Sequence, residues 1–166
     1  MADTLSADER SRLMSRIRSR GNARTEVALA TLLRRHGATG WRRHLKLGTG
    51  KAERGTNPTA KRSRSVRPDF VFPKERVVVF VDGCFWHGCP LHATQPKDNR
   101  AFWWNKIRTN QARDRRVHRA LRAKGWKVLR IWEHALRGTI GKNRNADDEV
   151  PEVIRRIRRA LGIRPD

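Results

Sequence analysis

Apolar positions along this chain repeat with a helical period in four places and run nearly unbroken in three. Ser6-Ala7-Asp8-Glu9 has the form of a capping box, Ser with Glu three residues on, and predicts a basic helix to about Ser19 with Leu13, Met14 and Ile17 on one face. Gly21-Asn22 breaks it. Asn22 is placed to cap a second helix, in which Ala28, Leu32 and Val27, Ala30, Leu33 follow helical spacing and Gly37 is the natural residue beyond the C-terminus. From Ala38 to Arg67 no period survives, and the stretch reads as a long basic loop inserted before the first strand.

Two strands are expected next, Pro68 to Phe72 and Arg76 to Val81, turned by Pro73-Lys74-Glu75. The unbroken apolar run of the second fits a strand buried on both faces. Cys84 to Lys97 is irregular. Asp98 or Asn99 then caps a long helix to about Lys124, with Phe102, Trp103, Ile107, Val117 and Leu121 on its apolar face and Gly125 after it. Trp126 to Trp132 reads as a third strand. Asp147 or Asp148 caps a last helix carrying Val150, Val153, Ile154, Ile157 and Leu161 and ending at Gly162. Helices, hairpin, helix, strand, helix make an α/β arrangement with helices flanking a small central sheet.

Charge changes the picture from a fold to a function class. Lys and Arg number 39 against 16 acids, a formal net charge of +23. Such an excess seeks a polyanion, and nucleic acid is the first candidate. No apolar run approaches the roughly 20 residues of a membrane span. The opening residues hold acids and no apolar stretch, unlike a signal peptide, so a cytosolic protein of one domain is expected over residues 1–166. Six Trp and no Tyr raise base stacking beside the plainer role of core filling.

Two constellations carry chemistry. Cys84-x4-Cys89-x2-His92 offers thiols and an imidazole at a spacing that suits tetrahedral Zn2+, or else two buried free cysteines beside a solvated histidine. His134, just past the third strand, is the best fourth ligand, and His87 competes for that place. Pro68-Asp69 on the first strand of a hairpin suits a metal-dependent nuclease, whose carboxylates hold the cation at the scissile phosphate. The usual Asp/Glu-x-Lys on the following strand is missing. An imidazole exchanges protons near neutral pH, so His87 can stand in for that lysine.

Taken in order, Arg67-Pro68-Asp69-Phe70-Val71, then Phe80 to Pro90 with its Gly-Cys-Phe-Trp-His block, resemble the very-short-patch-repair (Vsr) endonucleases. So do Phe102-Trp103, Lys106-Ile107, Asn110, Arg113-Asp114 and Gly125-Trp126 through Ile131-Trp132-Glu133. The resemblance runs from about Ser11 to Leu136. It implies a restriction-endonuclease-like single domain with a small mixed sheet and a structural zinc, nicking one strand of duplex DNA at the T·G mispair left by deaminated 5-methylcytosine. It implies Mg2+ on Asp69 and on the backbone carbonyl of Val81, His87 as general base, and Asp114 and Glu26 as supporting acids. Zinc would lie on Cys84, Cys89, His92 and His134. Phe85, Trp86 and Trp103 match residues that wedge into the duplex, with Met14 from the opposite groove on a DNA-contacting helix at residues 1–20. For Phe85 and Trp103 core packing is the competing reading. A cytoplasmic monomer working at the bacterial nucleoid is implied, with mismatch-repair proteins as candidate partners.

The chain departs from that pattern in places. His134 stands where a cysteine often closes the zinc quartet. Asp82 either joins the metal or ends its strand. The basic stretch 48–66 is longer than expected before the catalytic aspartate. Two other functions compete: a related nuclease with another substrate, and a non-catalytic zinc-stabilised DNA-binding module.

Overall fold

The structure, a computed structural model, describes residues 25–50, 64–92, 99–137 and 150–163. The expected N-terminal helix with Met14, and the candidate caps Asn22, Asp98, Asp147 and Asp148, lie outside them.

Helix α1 spans Glu26–Arg35, with Thr25 rather than Asn22 at its N-cap position and no side-chain bond capping it. Its buried stripe of Ala28, Leu29, Leu32 and Leu33 follows the helical period. The stretch expected to be a featureless loop contains three short strands: β1 (Arg42–Arg43), β2 (Leu47–Gly50) and β3 (Arg64–Val66). β2 and β3 pair antiparallel, with a register shift between Gly48 and Gly50. Two glycines and the small polar Thr49 and Ser65 hid this pairing, because alternation is legible only where one face is apolar throughout.

The hairpin is as expected, with β4 (Phe70–Phe72) antiparallel to β5 (Val77–Asp82). Helix α2 (Arg100–Ala123) then crosses over to β6 (Lys127–Trp132), which runs parallel to β5. The sheet is therefore mixed, in the order β1-β4-β5-β6. A 3-10 turn (Glu133–Leu136) follows, and α3 (Glu152–Leu161) closes the described chain. α3 starts after Pro151, so Val150 precedes the helix instead of lying on it. Among the described residues no helix is long and apolar enough to cross a membrane.

Strand alternation sorts the sheet into two faces. Phe70, Phe72, Val77, Val79 and Ile131 pack with α1 and α3 in the main core. Val71, Val78 and Leu121 form the opposite core under α2, with Phe80, Val117 and Val128 against it. Phe102, expected on the apolar face of α2, is instead 54% exposed, whereas Trp103 and Ile107 are buried. The same alternation sends Asp82 and Arg130 to the α2 side, where they pair with each other and the Arg130 guanidinium lies over the Phe80 ring.

Candidate active site

Where β4 and β5 separate, the carboxylate of Asp69 accepts a 2.7 Å hydrogen bond from the backbone N–H of Val81. The pairing of Phe70 with Val79 brings these two residues together. Burial pushes the Asp69 carboxyl up to about 6, helped by the like charges of Glu26 and Asp82 and opposed by the Val81 bond and Arg130.

Asp82 is buried and does not merely end a strand. Arg130, facing it from β6, grips both its oxygens through Nε and Nη2. The same guanidinium reaches Asp114 on α2 at 2.9 Å. Asp114 in turn lies 2.6 Å from Nδ1 of His87. Burial disfavours the Asp114 charge, but the bond to His87 and the Arg130 guanidinium hold this carboxyl below its ordinary range. Burial likewise works against the charge on Arg130, and Asp82 and Asp114 outweigh it, raising its pKa. The four side chains form a closed polar network within the fold. All of them line one open cleft of about 830 Å³, together with Glu26, Asp69 and Val81.

The segment between Gly83 and Cys89 divides the chemistry. His87 points to the cleft and Asp114, so it does not compete for the cysteine cluster. Cys84, Cys89, His92 and His134 instead bring their ligand atoms within 4.8 Å of one another. Sγ of Cys84 is 3.3 Å and Sγ of Cys89 3.5 Å from Nδ1 of His134, and Cys89 lies 3.9 Å from His92. Helix α2 clamps the segment: Asn110 donates to the Trp86 carbonyl at 2.9 Å and Gln111 to that of His87 at 3.2 Å. Gly88 has φ +64, and a Cβ there would meet Gln111 at 2.8 Å and Ile107 at 2.9 Å. Only glycine lets the loop sit this close to the helix.

Phe85, Trp86 and Trp103 form an edge-to-face cluster with centroids 5.1 to 6.0 Å apart. Trp103 is 8% exposed, so as it stands its ring packs and does not present a free surface. Phe85 and Trp86 are half-buried.

Several residues in or beside the cleft were not singled out from the sequence. His44 places Nε2 3.0 Å from Oε2 of Glu26, and Arg43 bonds the same oxygen. Thr49 and Ser65 line the cleft from β2 and β3, and Arg67 from just beyond β3. Arg130 left one trace, a charge at an otherwise apolar strand position. His44 left none, because its basic surroundings carry no period.

The chain matches the family model for the DNA mismatch endonuclease Vsr over residues 58–93, the stretch that holds Asp69, Asp82, His87 and both cysteines. Relatives extend the match. It is 40% identical over 134 residues to the type II nicking enzyme V.XorIIP of Xanthomonas oryzae pv. oryzae, covering 80% of this chain and 85% of that one. The chain belongs to the Vsr endonuclease family. It is also 49% identical over 74 residues to the DNA mismatch endonuclease Vsr of Escherichia coli, covering 43% of this chain and 47% of that one. Type II nicking enzyme V.NaeI of Lentzea aerocolonigenes is 54% identical over 69 residues, 42% of each chain. The small α/β body with its mixed sheet is consistent with the restriction-endonuclease-like fold expected of Vsr proteins.

Proposed function

We propose that this chain is a divalent-metal-dependent endonuclease that nicks one strand of duplex DNA at a T·G mispair. The observation that carries the reading is the convergence of Asp69, Val81, His87 and Asp114 on one cleft. A purely binding module would gain nothing from acids placed where phosphates must come.

Asp69 and the Val81 backbone carbonyl would hold Mg2+, with Glu26 in support. The bound ion supplies charge neutralisation at the phosphate and a lowered pKa for attacking water. The chain's own part is proton transfer and alignment. Asp114, kept ionised by His87 and Arg130, accepts a hydrogen bond from the Nδ1–H of His87. Nε2 is then the proton-accepting nitrogen, as a general base requires. The net charge of +23 attracts the duplex regardless of sequence. The Phe85–Trp86 edge, with Met14 outside the described residues, would select the mispair, because a poorly stacked step opens at lower cost.

The donor set of Cys84, Cys89, His92 and His134 fits structural zinc. Bonds of about 2.3 Å to sulfur and 2.0 Å to nitrogen give tetrahedral edges of roughly 3.3–3.8 Å. The separations of 3.3, 3.5 and 3.9 Å between donors lie close to that range. The ion would join the 84–92 segment to the end of β6, giving one domain over the whole chain. A cytoplasmic monomer on DNA, alone or with mismatch-repair proteins, completes the reading.

The test is a nicking assay on duplexes with each mispair, with and without Mg2+. The reading requires one nicked strand, at T·G and only with the cation. Equal cutting of matched duplex points to a related nuclease with another substrate, and binding without cutting points to a DNA-binding module.

A further inference from the structure

Glu26, His44 and Asp69 come from three separate places: the first turn of α1, the residue after β1 and the residue before β4. Their ligand-type atoms nevertheless all lie within 4.8 Å of one another. In octahedral coordination with bonds near 2.1 Å, neighbouring ligand atoms are about 3 Å apart and opposite ones about 4.2 Å. The 3.0 Å between His44 Nε2 and Glu26 Oε2 is such an edge. The imidazole is held for this place: the His44 backbone donates to the Asp69 carbonyl at 3.4 Å, and its φ of 53 is the left-handed conformation that β1 does not continue.

We propose that His44 is a ligand of the same divalent ion as Asp69 and Glu26, and that its imidazole tilts the site toward Mn2+ over Mg2+. The proposal rests on the reading of Asp69 as a metal ligand. Mg2+ demands oxygen donors and keeps its waters, whereas Mn2+, though the weakest binder of the transition series, is softer than Mg2+ and accepts an imidazole nitrogen beside oxygen donors more readily. Two carboxylates with one imidazole make such a set. Arg43, bonded to Oε2 of Glu26, adds a positive charge beside the site. Glu26, Asp69, Arg43 and a dication together carry one net positive charge, which one phosphodiester neutralises.

The experiment uses the full chain with its cysteine–histidine cluster loaded with zinc, so that added Mn2+ finds only the cleft. Mn2+ binding is followed by electron paramagnetic resonance, Mg2+ by competition, and directly bound imidazole by the nitrogen coupling in pulsed spectra. The wild type should bind Mn2+ at least about tenfold more tightly than Mg2+ and show the coupling. His44→Ala should lose the coupling and roughly 10- to 100-fold of Mn2+ affinity, while Mg2+ affinity changes far less. His44→Gln, which supplies an oxygen donor, should keep Mg2+ binding but lose the Mn2+ preference. Absence of nitrogen coupling in the wild type overturns the proposal, and that measurement stands even if a variant fails to fold. Unchanged Mn2+ binding in His44→Ala overturns it too, provided Asp69→Asn loses both ions. If Asp69→Asn keeps both ions, the metal reading of Asp69 itself fails.

Discussion

The carboxylate of Asp114 lies 2.6 Å from Nδ1 of His87, although 27 positions separate the two in the chain. The contact fixes which ring nitrogen carries the proton, and so which one can accept another. His87→Ala should slow nicking by about 10²–10⁴-fold, with DNA affinity little changed. Asp114→Asn should give a loss of the same order by presenting the wrong partner to Nδ1. Single-turnover rates at saturating enzyme decide it, and a wild-type rate in His87→Ala removes that residue from the chemistry.

Asp69 links catalysis to stability. Its carboxyl titrates at about 6 in the fold against 3.8 as the ordinary value, so the folded state holds the proton more tightly than the unfolded one. The stability this lends is full below pH 4 and is lost as pH rises through 6. Asp69→Asn still accepts from Val81 and never ionises. Without added divalent ion it should be more stable than wild type above pH 6, by on the order of 1–3 kcal/mol, and equal to it near pH 4. Nicking should be lost while DNA binding remains. Urea melts at the two pH values test the first claim, since a destabilised variant at neutral pH contradicts it.

Arg130 and Asp82 are 48 positions apart and satisfy one another inside the fold. Arg130→Met would leave Asp82, 5% exposed along its side chain, with a charge and no cation. Breaking such a pair costs about 3 kcal/mol or more, whereas replacing both partners by apolar residues costs far less. The double variant Asp82→Leu with Arg130→Met should therefore recover most of the loss. Its nicking should stay slow, because Asp114 still lacks the guanidinium. Denaturant unfolding of Asp82→Leu, Arg130→Met and the double variant provides the cycle, and additive losses would show that the pair is not coupled.

For the cysteine–histidine cluster the expected stoichiometry is one zinc per chain. Cys84→Ser should release it and destabilise or unfold the domain, since structural zinc contributes folding free energy directly. Metal analysis and melting in the presence of a strong chelator check this. A zinc-free protein whose melting is indifferent to chelators would exclude a structural ion.

Trp86→Ala should lower the preference for a T·G duplex over a T·A duplex by roughly 5- to 150-fold, the range that 1–3 kcal/mol of base stacking supplies. Phosphate contacts are sequence-independent, so binding to matched duplex should change little. Trp103→Ala should act differently, through stability, because that ring is buried against Phe85 and Trp86. Paired binding curves at one salt concentration separate the two effects. Equal weakening of both duplexes by Trp86→Ala would place mispair selection elsewhere.

The β4–β5 hairpin, the crossover helix and β6 were legible in the residues, because long apolar runs and helical stripes are local signals that tertiary contacts seldom override. The metal-ligand cluster and the Pro-Asp were legible for another reason: such residue types at such spacing have few structural uses. Phe102 was misplaced on the buried face of α2, because periodicity locates a stripe but not its end. The β2–β3 ladder was unreadable, since its strands are short, glycine-rich and mostly polar, and its pairing joins residues on either side of a long basic stretch.

By itself the sequence determined the chemistry on offer: a polyanion-binding surface, a thiol–imidazole quartet, and an aspartate at a strand end followed by a histidine. The tertiary structure decided how that chemistry is divided. Packing of α2 onto the 83–89 segment turns His87 toward Asp114 and the cysteines toward His134. Strand register delivers Arg130 to Asp82, and the return of β1 beside β4 delivers His44 to Glu26. A local pattern records what each residue can do. Which residues meet is fixed only when the sheet pairs and the helices close over it, because hydrogen bonds and charges act across distances of a few ångströms that chain separation does not report.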